Sequence, residues 1–162
     1  MIDKSHDPLT DQIVDFLCEI GIEVRDESLD EPTFLPGIKV WSDKLLLDRE
    51  KLKYPGDLLH EAGHLAVIGE NERLTGQVGQ KANQEILAIA WSYAAAVHLK
   101  LDPALVIHSG GFHGWREVFL DTLERGTFVG VSMLKDLGLT ADKEQAAQLG
   151  IAPFPRMIRW LL

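Results

Sequence analysis

Residues 57–100 contain two helical runs joined by a polar link, and this pair restricts what the rest of the chain can build around it. In the first run Leu58, Leu59, Ala62, Leu65 and Ala66 recur at helical spacing, with Asp57 placed to cap the start and Gly69 to cap the end. The second run, residues 82–100, is so rich in Ala and Ile that it reads as a buried helix. The link over residues 70–81 is long enough to let the second helix fold back on the first. Small residues at Ala88, Ala95 and Ala96 permit close packing.

The flanking sequence fits an α+β arrangement. Asp7-Pro8 can open a helix carrying Ile13, Phe16, Leu17 and Ile20, which Gly21 can close. Ile22 and Val24 alternate with polar neighbours, as in a short strand. After the Pro36-Gly37 turn, Ile38, Val40 and Trp41 suggest a strand, residues 42–44 a turn, and residues 45–47 a strand that pairs back. The expectation is a small, largely antiparallel sheet, then the helix pair, then further C-terminal helices over residues 115–125, 129–137 and 140–149. A short helix is expected at Asp102-Pro103 and a loop over residues 109–114 (SGGFHG). At 162 residues the chain is expected to form one domain, residues 1–162.

The first helix of the pair carries the chemistry, in His60-Glu61-Ala62-Gly63-His64. Two histidines four apart lie on one helical face, one turn apart, so both imidazoles can reach a single metal ion. Glu61 projects to the side. It is too displaced to be a natural ligand but near enough to accept a proton from metal-bound water. Gly63 costs about 1 kcal/mol relative to Ala inside a helix, which suggests that something approaches closely there.

This segment, with apolar Leu58-Leu59 before it and Leu65-Ala66 after it, resembles the active-site helix of the zincin metallopeptidases. In their gluzincin branch a glutamate on the next helix is the third zinc ligand, and Glu85, 21 residues after His64 in NQEILAIAWSYAA, fits that place. The order of sheet, HExxH helix, link and glutamate helix is similar to that of the small ImmA/IrrE-like peptidases. The resemblance covers roughly residues 34–100. It implies a zinc-dependent metallopeptidase or related hydrolase, acting on a peptide or protein, with one zinc ion per chain held by His60, His64 and Glu85 and with Glu61 as general base. It also implies an oxyanion-stabilising His or Tyr outside the helix, for which His113, His108 and Tyr93 are candidates. Many gluzincins carry an acidic residue one turn after the glutamate ligand to steady a zinc-bound histidine. Ile89 stands there, so that partner must come from elsewhere, or metal binding is weaker than in the secreted enzymes.

Glu70 is the competing third ligand, ten residues after His60, where the metzincin branch places its own. That pattern needs a glycine three residues after the second histidine, and Val67 is there instead. Glu85 begins a long apolar helix, where an ionised carboxylate is costly unless paired or metal-bound. The alternative function is a zincin-fold binding module with weak or no turnover. Glu61, which a structural site would not need, favours the enzyme; the lack of a large second lobe favours the module.

The net charge of −9 repels phosphate and gives no footprint for nucleic acid or an anionic membrane. The Ala-rich run is broken by Ser92, Tyr93 and His98, so no membrane span is expected. The N-terminal MIDKSHDP has no signal-peptide pattern, which places the protein in the cytoplasm. A single cysteine, Cys18, excludes an internal disulfide and a cysteine-rich zinc site, and its helical setting suggests a buried position. Residues 26–31 (DESLDE) read as a solvated loop. Trp41, Trp91, Trp115 and Trp160 read as core or interface anchors.

Overall fold

The computed structural model describes residues 6–76, 78–79 and 81–162. Residues 1–5, part of the segment read as lacking a leader, lie outside the described residues, as do 77 and 80 of the link. Among the described residues the fold is α+β, with seven helices and a three-stranded mixed sheet.

Helix α1 (Pro8–Ile20) starts as its sequence dictates: the Asp7 carboxylate accepts from the Thr10 backbone N–H at 3.1 Å, with Pro8 in the first turn. It ends at Gly21, left-handed at φ 101°. Ile13, Phe16 and Leu17 face the core. Cys18 is exposed, contrary to the expectation, because one residue past Leu17 the helix has rotated about 100° away from that face.

Strands β1 (Val24–Asp26), β2 (Ile38–Trp41) and β3 (Lys44–Leu47) form a sheet in the order β1-β3-β2. The β2–β3 hairpin is antiparallel as expected, but β1 runs parallel to β3. The expected largely antiparallel sheet is therefore half right. Residues 27–37 carry the chain across to the far edge before the hairpin returns β3 to the centre. Leu45, Leu47 and Ile38 are buried, while Leu46, Arg25 and Lys39 align across the other face.

Helix α2 (Asp57–Ala66) packs more extensively against α4 (Ala82–His98) than any other pair of elements does. A Cβ on Gly63 would stand 3.0 Å from both the Cα and the carbonyl oxygen of Ala88, which explains the glycine. Helix α4 is apolar on all sides and is buried from Leu87 to Ala96 between α2 and α6 (Val129–Asp136). The polar link holds a short helix, α3 (Glu70–Leu74), with Gly69 as its N-cap; α2 itself is capped at Val67, not at Gly69. A 3-10 turn at Pro103–Leu105 and helix α5 (Arg116–Glu124) follow α4. Helix α7 (Lys143–Leu149) starts later than expected because Asp142 caps it, while Thr140 bridges to Met157. The tail returns to the core, where Trp91 donates its indole N–H to the Trp160 carbonyl at 3.0 Å. Among the described residues no helix is long and apolar enough to cross a membrane.

Candidate metal centre

His60 and His64 lie on the face of α2 that meets the start of α4, and the Glu85 carboxylate lies between them. Its Oε1 is 3.0 Å from His60 Nε2 and its Oε2 is 3.1 Å from His64 Nε2. All three ligand atoms fall within 4.8 Å of one another. Two imidazole nitrogens and a carboxylate oxygen brought this near one another could hold a metal ion. Glu70 starts α3, is exposed, and belongs neither to this cluster nor to the cleft around it.

The electrostatics follow from this crowding. Burial opposes a charge on His60, but the Glu85 hydrogen bond and the charges of Glu85, Glu61 and Asp57 outweigh it and raise its pKa. Hydrogen bonds from His60 and His64 hold Glu85 well below the usual carboxylate range. Burial pushes Glu61 upward, against the pull of the two histidines. In the metal-free protein Glu61 is thus a more basic carboxylate than one in water.

The cluster opens into a cleft of about 1480 Å³. Its lining includes Glu61, the segment from Glu27 to Pro36, strand β2, and the loop from His108 to His113. The DESLDE segment is only partly the solvated loop expected: Leu29 is buried, its N–H donates to Asp48 at 3.0 Å, and Glu27, Asp30 and Glu31 border the cleft. Trp91 fits the core reading, but Trp41 and Trp115 are 57% and 62% exposed, and Trp41 lines the cleft with Phe34.

Of the three oxyanion candidates, Tyr93 is buried against Phe154, with ring centroids 6.0 Å apart, and does not line the cleft. His108 lines it, but both ring nitrogens are engaged. Nδ1 accepts the Gly110 N–H at 3.1 Å, which leaves Nε2 as the donor to Asp57 Oδ1 at 2.6 Å. His113 is exposed and borders the cleft.

Sequence reasoning missed two residues here. Tyr54, read only as part of a turn, stacks on His108 at 4.1 Å and lines the cleft. A Cβ on Gly110 would come within 2.7 Å of its hydroxyl, so any side chain there would have to displace the tyrosine. Asp57, expected as an N-cap, makes no cap; Gly56 holds that position and the Asp57 carboxylate, 5% exposed, binds His108. The signal was available: Asp57 lies one turn before His60, on the metal face. The chain matches no family model, no curated protein and no solved structure.

Proposed function

We propose that this chain is a zinc-dependent peptidase of the zincin type, with one zinc ion held by His60, His64 and Glu85. The observation that carries the reading is Glu61, a carboxylate of raised pKa next to His60 in sequence and facing the same cleft as the three ligand atoms. A structural metal site has no use for it. Zinc held there supplies Lewis acidity, acidifying a water and polarising a carbonyl. Glu61 takes the proton from the attacking water and delivers it to the leaving amine. His113, on the glycine-rich loop that borders the cleft, is the remaining candidate to donate to the oxygen of the carbonyl under attack. The cleft is large enough for a segment of extended peptide.

The test is Glu61→Gln, which preserves shape and removes the base. Zinc content should stay near that of the wild type, while turnover of a mixed peptide library should fall at least about a hundredfold. A Gln variant as active as the wild type overturns the mechanism. A zinc-replete wild type that cleaves nothing leaves the binding-module reading in its place.

A further inference from the structure

Among the described residues, two buried side-chain atoms lack a hydrogen-bond partner: Nδ1 of His64 and Nε2 of Gln84. Buried polar atoms are nearly always paired, so an orphan calls for a reason. Both residues meet at Gly79. Gln84, the third residue of α4 and 2% exposed, turns its side chain back so that Oε1 accepts the Gly79 N–H at 2.5 Å. Gly79 in turn lies against the imidazole of His64. A Cβ built on it would stand 3.8 Å from Nδ1 and 4.0 Å from Cε1. The opposite ring nitrogen, Nε2, faces Glu85 at 3.1 Å.

A metal on Nε2 requires the proton to sit on Nδ1, and a ligating imidazole keeps its tautomer and orientation by donating that N–H to an oxygen. Ile89, one turn beyond Glu85, is apolar and cannot accept it. We propose, resting on the zinc reading above, that Gln84 is the positioning residue for His64, its amide oxygen accepting a hydrogen bond from Nδ1–H when zinc is bound. A carbonyl oxygen has two lone pairs. Gly79 occupies one, which leaves the second free to accept from His64 if the side chain shifts toward the ring. One turn of α4 then supplies both a ligand, Glu85, and the group that orients its neighbour. Gly79 is exposed and takes φ +74° without strain, so the backbone can lie flat against the ring edge without a side chain coming between Gln84 and His64.

Zinc affinity measured by chelator competition on the full chain tests this. Gln84→Met removes the acceptor at similar volume and should weaken zinc about 10–100-fold. Gln84→Glu keeps an acceptor oxygen and should stay within a fewfold of the wild type. In zinc-loaded wild type and Gln84→Glu, long-range proton–nitrogen spectra should show a slowly exchanging Nδ1–H on His64. Gln84→Met should lose that protection, whereas the melting temperatures of the metal-free variants report any purely structural effect. If Gln84→Met binds zinc as tightly as a competent wild type, or if Gln84→Glu falls equally far, the proposal is overturned. Should Gln84→Met not fold, the wild-type spectrum decides: a freely exchanging Nδ1–H rules Gln84 out. A wild type that takes up no zinc overturns the metal reading itself, a distinct result.

Discussion

Glu85 answers two imidazoles with one carboxylate, and its surroundings explain why that arrangement can hold a metal. The helix behind it is buried from Leu87 onward, so the charge has no counterpart along α4 and depends on His60 and His64. Glu85→Gln keeps the shape but halves the acceptor capacity and removes the charge. Zinc affinity should fall by at least about tenfold, while Glu70→Gln should be nearly silent, both read by chelator competition. The reverse ranking would remove Glu85 from the centre. At this scale the sequence was informative wherever a residue's partners lie within one helix: His60, Glu61 and His64 follow from spacing alone. It placed Asp57 beside the histidines but gave neither Asp57 nor Tyr54 its partner, His108, which the fold brings to them.

Helices α2 and α4 are held at a separation set by Gly63. Alanine there would gain about 1 kcal/mol of helix propensity. It would also press a methyl to 3.0 Å from the backbone of Ala88, which cannot swing aside as a side chain tip can. Overpacking of this kind costs about 1–3 kcal/mol, so Gly63→Ala should be neutral to destabilising by up to about 2 kcal/mol in urea unfolding. It should also weaken zinc, because Glu85 sits one turn before Ala88 and moves with it. A variant stabilised by the full propensity gain would mean the helices are not in such contact. The long helices were legible because their apolar periodicity is strong. The parallel β1–β3 pair was not, since nothing in residues 27–37 states which edge the hairpin will occupy. Helix α3 was hidden because its residues bury no apolar stripe.

For the whole molecule, the cluster of His60, His64 and Glu85 should make stability depend on pH, and added zinc should change that dependence. The pKa of His60 is raised from 6.5, so its contribution is present below that value and lost as pH rises through the raised one. Glu61 is also raised, from 4.5, and disfavours the folded state once it ionises. Glu85 is lowered from 4.5, so its contribution is present above that value and lost only in strong acid. Metal-free protein should therefore melt highest in mildly acidic solution and lose stability as pH rises above the ordinary histidine value of 6.5. Zinc needs neutral histidines and binds more tightly as pH rises, so the difference in melting temperature between zinc-loaded and metal-free protein should widen over the same range. Parallel curves would show that these groups do not govern the stability of the fold.

The lone thiol of Cys18 has a practical consequence. It stands on the outer face of α1, exposed, and is not among the residues bordering the cleft. A nitroxide attached there would occupy one defined place on the surface. With a paramagnetic ion such as Cu(II) in place of zinc, the two spins would make the molecule its own ruler, reporting whether an ion enters at His60, His64 and Glu85 before any substrate has been found.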